Sequence, residues 1–140
     1  VRLSPLGQAN DIGDSDPEAL FSYVYKVLSA RNLAFLHVVE VFPGVDTSVG
    51  DAAMISRLRG LYDGFYIANG GYDAETAAKA IDEGKADAIA FGRPFIANPD
   101  LPKRYRINAP LNEPDSSTFY GGGEKGYTDY PFLQGNVSAA

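Results

Sequence analysis

Two glycine turns carry the sharpest chemical signal in this 140-residue chain: Asn69-Gly70-Gly71 and Gly92-Arg93. Each follows an apolar run that reads as a strand, the first ending at Ala68 and the second at Phe91. Glycine lets backbone come close to an anion, amides at the start of a helix point toward it, and a guanidinium grips phosphate oxygens two at a time. Two such turns side by side make a phosphate cradle. Taken singly, each is also what a tight strand-to-helix connection requires.

Other residues attract a chemical reading less strongly. His37 is the only histidine, and it interrupts the apolar stretch Leu33–Val39, so it reads as a hydrogen-bonded core residue before it reads as a proton carrier. Phe42 follows that stretch on a loop, where an aromatic ring either covers core or borders a pocket. Tyr127, Asp129 and Tyr130 read as anchors for a tail. The chain has no cysteine, which excludes disulfides, thiolate-bound zinc, iron–sulfur clusters and a cysteine nucleophile. No metal site and no catalytic residue are assigned.

The elements that position the turns follow from local pattern. Val1 to Ser4 is extended and stopped by Pro5. Asp14-Ser15-Asp16-Pro17 predicts a helix start, and Leu20, Phe21, Val24, Val27 and Leu28 give it one apolar stripe, ending near Arg31-Asn32. Leu33–Val39 predicts a strand buried on both faces, as parallel pairing requires. A loop from Glu40 to Gly50 leads to a second amphipathic helix carrying Ala52, Met54, Ile55, Leu58 and Leu61. Strands over 64–68 and 86–91 flank an alanine-rich helix over 73–83 that stops at Gly84. A short helical segment near 95–98 follows, and the proline- and glycine-rich remainder predicts an irregular tail.

Strand starts near 1, 33, 64 and 86, each followed by a helical segment, give four consecutive βα units and an α/β class. Composition does not choose between a doubly wound sheet and part of an eight-unit barrel. The 45% hydrophobic content suffices for a core, while a net charge of −6 and a pI near 4.6 argue against nucleic acid or anionic lipid as partners and favour a small molecule. With no membrane-spanning run or signal segment, the expected location is the cytoplasm.

Longer words in the sequence are specific. Arg2-Leu3-Ser4-Pro5, His37-Val38-Val39-Glu40, the run from Ala90 to Leu101, and Thr118-Phe119-Tyr120 with Gly126 to Pro131 resemble the old yellow enzyme family in order and spacing across nearly the whole chain. The resemblance implies a TIM (β/α)8 barrel. Residues 1–100 would correspond to strands five to eight, the C-terminal half of an FMN-binding barrel, and 101–140 to a tail packed on it. It implies FMN as cofactor and NAD(P)H as reductant, with reduction of alkenes activated by a carbonyl or nitro group.

Carried over by residue, the resemblance places Arg2 against the pyrimidine side of the flavin, where a fixed cation stabilises negative charge. Ala68, Asn69, Gly70 and Gly71 with Phe91, Gly92 and Arg93 would surround the cofactor's phosphate, where barrels of this kind bind phosphate after their last strands. Asn69-Gly70-Gly71 departs from the glycine–asparagine order of some members, which leaves the individual amide donors open. Tyr120 would border flavin and substrate, and Phe42 the substrate pocket. The family's carbonyl-gripping pair and proton-donating tyrosine belong to the other half of the barrel. The expected protein is therefore one piece of an ene-reductase, active only when a complementary half-barrel is supplied. The alternative is a non-enzymatic FMN- or phosphate-binding half-barrel that pairs with itself or is an engineered fragment.

Overall fold

A computed structural model describes residues 1–8, 11–41, 48–121 and 123–134. The chain forms two compact units, Val1–Ala90 and Phe91–Ala140. The first holds β1 (Arg2–Leu3), α1 (Pro17–Ser29), β2 (Leu36–Val39), α2 (Val49–Arg59), β3 (Tyr66–Asn69), α3 (Ala74–Asp82) and β4 (Ala88–Ala90). All four strands are parallel, in the spatial order β1-β2-β3-β4. The order never reverses, and because parallel neighbours are joined by right-handed crossovers almost without exception, helices in such a winding fall on one face. That is the winding of a barrel wall, not of a doubly wound sheet.

The core lies between that face and the helices. Leu36 and Val38 of β2 and Tyr66 and Ala68 of β3 meet Tyr25 of α1 and Met54, Ile55 and Leu58 of α2, all buried. Successive strand residues point to opposite faces, so Arg2, His37, Ile67 and Ala88, which are in register, share the other one. The helices start where their capping residues stand. The Asp16 carboxylate accepts from the Ala19 amide, and Ser48 with Asp51 and Asp73 with Thr76 form reciprocal capping boxes.

Three expectations need correction. The stripe of α1 is centred on Phe21, Tyr25 and Leu28, while Leu20 is exposed; a tyrosine at i+4 from Phe21 extends the apolar row that spelling alone assigns to aliphatic residues. The second strand begins at Leu36, with Phe35 exposed; Leu36 and Val38 are buried against the helices and Val39 is buried on the opposite face, while His37 beside it is half-buried. Ala52 of α2 is exposed, so the buried side of that helix is Met54, Ile55 and Leu58.

The second unit holds α4 (Arg93–Ala97), α5 (Leu101–Arg106) and a 3-10 turn at Ser116–Thr118. Its predicted irregular tail thus opens with a helix. Pro102 fits a first helical turn, and Lys103, Arg104 and Arg106 favour the last one. A polar core holds this unit. Buried Arg104 donates to Asp100 Oδ1 (2.6 Å) and to the carbonyls of Pro110 (2.6 Å) and Pro131 (3.0 Å). Buried Asn98 and half-buried Asn112 bond to each other and to neighbouring carbonyls. Among the described residues no helix is long and apolar enough to cross a membrane.

Candidate functional site

The carboxyl ends of β2 and β3 are fastened together before the first glycine turn begins. The Glu40 amide donates to the Asn69 carbonyl at 2.7 Å, and Asn69 Nδ2 donates to the Ala90 carbonyl at 2.6 Å, so Asn69 ties β3 to both neighbours. Asn69 therefore spends one of its two side-chain N–H donors on the sheet. Ala68 is buried with its side chain in the helix-facing core, leaving only its backbone to a ligand.

The two glycines that follow do different work. Gly70 has φ +128°, and a Cβ there would lie 2.6 Å from the Val41 amide nitrogen and 2.7 Å from its carbonyl oxygen. Its missing side chain makes room for the exit of β2. Gly71 has φ +70°, and a Cβ there would meet nothing within 4 Å among the described residues. This is the glycine with open space beside its backbone. Among the described residues the amides of Gly70 and Gly71 donate no hydrogen bond, so both remain available to an anion.

Glu40 braces the turn from beneath. Its Oε1 accepts the Tyr66 hydroxyl at 2.9 Å and its Oε2 accepts the Tyr72 hydroxyl at 2.6 Å. Burial raises the pKa of both phenols, and the Glu40 charge raises them further, so both stay protonated as donors. Burial likewise pushes the Tyr25 phenol up to about 12. Arg59 lies 4.8 Å over the Tyr66 ring and is itself held by the Tyr62 and Lys85 carbonyls. The Tyr66 amide donates to Asp87 Oδ2 at 2.8 Å. Sequence pattern does not signal this network, because its members are isolated polar residues 26 and 32 positions apart. Glu40, Ile55, Arg59 and Tyr72 also line a cleft of about 290 Å³ on the helix side of the sheet.

Arg2 is exposed and forms no ion pair among the described residues. His37, its register partner, has a pKa below the usual imidazole value, through burial first and then the Arg2 charge. The expectation that its side chain is hydrogen-bonded is corrected at one atom: Nε2 is buried with no partner among the described residues.

In the second unit Gly92 caps α4 without a side-chain bond, and a Cβ added to it would meet nothing within 4 Å among the described residues. Arg93 is exposed with no ion pair among the described residues. Phe91 packs edge-on against Tyr105, ring centroids 5.2 Å apart. Tyr120 is fully exposed and meets Phe119 edge-on at 6.4 Å. Phe42 lies outside the described residues. Arg2 and Ala68 to Gly71 thus belong to one unit, and Phe91 to Arg93 and Tyr120 to the other.

Within the first unit, a turn of positive φ whose amides are unpaired among the described residues suits a phosphate group. Within the second, Arg93 is a guanidinium with no carboxylate partner among the described residues, which suits an anion as well.

The chain is 45% identical over 135 residues to a 12-oxophytodienoate reductase-like protein of Solanum lycopersicum, covering 96% of this chain and 36% of that protein. It is 42% identical over 138 residues to a Leishmania infantum protein named "Probable flavin mononucleotide-dependent alkene reductase", covering 95% and 35%. Among solved structures, morphinone reductase superposes with a TM-score of 0.84 at 49% identity, over 94% of this chain and 35% of that one. The chain spans about a third of the length of these relatives. A sequence model of the NADH:flavin oxidoreductase / NADH oxidase family, the old yellow enzymes, matches residues 1–112. On these grounds the chain belongs to that family.

Proposed function

We propose that this chain forms the part of an FMN-dependent, NAD(P)H-driven ene-reductase that holds the cofactor's phosphate, with enones as the leading substrates and nitro-activated alkenes as a second class. The observation that carries the reading is the Asn69-Gly70-Gly71 turn. Its glycines have positive φ, its amides are unpaired among the described residues, and it ends a parallel strand in a member of a flavin reductase family.

In this reading the Gly70 and Gly71 amides, with the backbone at Gly92 and the Arg93 guanidinium, hold the phosphate. Ala68, Asn69 and Phe91 complete the cofactor-binding set, and Asn69 also fixes the spacing of the strands. Arg2 lies against the pyrimidine end of the flavin, and Tyr120 and Phe42 border the substrate. When bound, FMN supplies the hydride chemistry, with NAD(P)H as reductant. The chain's own residues bind, orient and balance charge, and none of them is assigned a proton transfer.

The four strands correspond in this reading to the last four of a TIM barrel, with residues 101–140 as its tail. Among the described residues β1 and β4 each leave one edge without a strand partner, and open parallel edges seek partners. Turnover therefore requires complementary strands, from another polypeptide, from a further part of the same one, or from a second copy.

Flavin absorbance of the purified protein, run with a mass spectrum of every polypeptide present, tests the reading. Yellow protein that bleaches with NAD(P)H and recolours on an enone supports it. Yellow protein that does neither reduces it to a flavin-binding module. Protein that is colourless and fails to take up added FMN refutes it.

A further inference from the structure

We infer that Glu40 is the positioning residue of the phosphate turn, acting through Tyr66 and Tyr72 to set the Gly70 and Gly71 amides before any ligand arrives. The inference rests on the reading of that turn as the flavin phosphate site.

The turn runs from Asn69 to Gly71, and its two flanks carry one phenol each: Tyr66 at the start of β3 and Tyr72 immediately after Gly71. Both hydroxyls end on one carboxylate, Tyr66 on Oε1 and Tyr72 on Oε2. A single rigid acceptor thus fixes the distance between the chain entering the turn and the chain leaving it. The same residue's amide holds the Asn69 carbonyl, and the next residue, Val41, fills the space a Gly70 side chain would occupy. Residues 40 and 41 therefore grip the turn at its first residue, at its second and on both flanks.

Charge explains why the acceptor is a carboxylate whose oxygens are both engaged. A free carboxylate beneath an anion site would repel phosphate. Here two phenols with raised pKa values donate to it, one on each oxygen, which disperses its charge and makes both bonds charge-assisted. Tyr66 is in turn fixed by the Arg59 cation over its ring and by Asp87 on its amide. Pre-set donors bind without the ordering cost a floppy turn would carry, so the benefit falls on the ligand group that meets those amides.

That location of the benefit gives the test. Riboflavin has the ring and ribityl chain of FMN but no phosphate. Dissociation constants for both are measured on the flavoprotein as purified and stripped of cofactor, for the wild type, Glu40→Gln and Tyr72→Phe, with the apoprotein melting temperature recorded for each. Gln loses the negative charge and one acceptor oxygen, and Phe keeps the ring while removing one bond. Each variant is expected to weaken FMN binding about tenfold while riboflavin changes less than about twofold. Equal weakening of both ligands, or no change in either, overturns the positioning role, and Tyr72→Phe decides the matter should Glu40→Gln fail to fold. A wild type that binds FMN no more tightly than riboflavin overturns the phosphate reading itself, a separate outcome.

Discussion

Arg2 and His37 are register partners across β1 and β2, and the guanidinium is one reason the imidazole resists a proton. Burial is the larger reason. Because the folded value lies below the unfolded one, the unfolded chain takes up a proton that the folded chain refuses. Stability is then unaffected above about pH 6.5 and declines as pH falls from there toward the folded value. Urea midpoints at pH 7.5 and 5.5 should show that decline in the wild type, and His37→Gln should remove it. An unchanged slope in the variant assigns the titration elsewhere.

The glycines of the turn should differ in what alanine does to them. At Gly71 only the positive φ opposes a side chain, so Gly71→Ala should cost about 1–2 kcal/mol. At Gly70 the same strain is joined by collision with Val41 backbone, which cannot rotate away, so Gly70→Ala should cost clearly more. Urea unfolding with unchanged m-values decides the order, and equal costs would contradict the wedge.

Arg93 should act on the phosphate alone. Removing a charge-assisted hydrogen bond to a phosphate weakens binding roughly tenfold to a hundredfold. Arg93→Ala is expected to weaken FMN binding within that range and leave riboflavin unaffected. If both ligands bind as before, the guanidinium has no part in the site.

The second unit should depend on one ion pair. Asp100 Oδ1 accepts from Arg104 Nε at 2.6 Å and its Oδ2 accepts from the Leu133 amide at 2.8 Å, and Arg104 holds the carboxyl below the usual carboxylate range. A depressed carboxylate contributes stability that is present above its unfolded pKa and lost as pH falls through the folded value. Arg104→Gln should lower the melting temperature at pH 7 and flatten its dependence on acid below about pH 4. The tail tyrosines, read by fluorescence, report on this unit.

An equally short link should matter less. Arg57 donates to both oxygens of Glu18, at 2.6 and 2.8 Å, bridging α1 and α2. Both side chains stand about half in solvent, where screening and side-chain entropy offset most of the attraction. Arg57→Ala should leave the urea midpoint almost unchanged, and a large drop would mean that the stem of Arg57 carries packing.

Sequence alone determined the alternation of strand and helix, because apolar period and capping residues act within a few positions of one another. Pro17 behind Asp16 and Asp73 before Ala74 start helices wherever they stand. It also displayed the Asn69-Gly70-Gly71 and Gly92-Arg93 turns and the long words that carry the family resemblance, since these are contiguous. Which glycine faces open space and which faces Val41 was decided only in three dimensions, because the obstacle at Gly70 comes from the far-off exit of β2. The same holds for Tyr25 in the core, whose burial depends on what covers it. The single-wound strand order chose a barrel wall over a doubly wound sheet, which composition had left open. Glu40 was visible only as the last letter of one family word and the first residue of a loop. Its role arises when β2 and β3 lie side by side and place two distant phenols within hydrogen-bonding reach of one carboxylate, a geometry that no local period encodes.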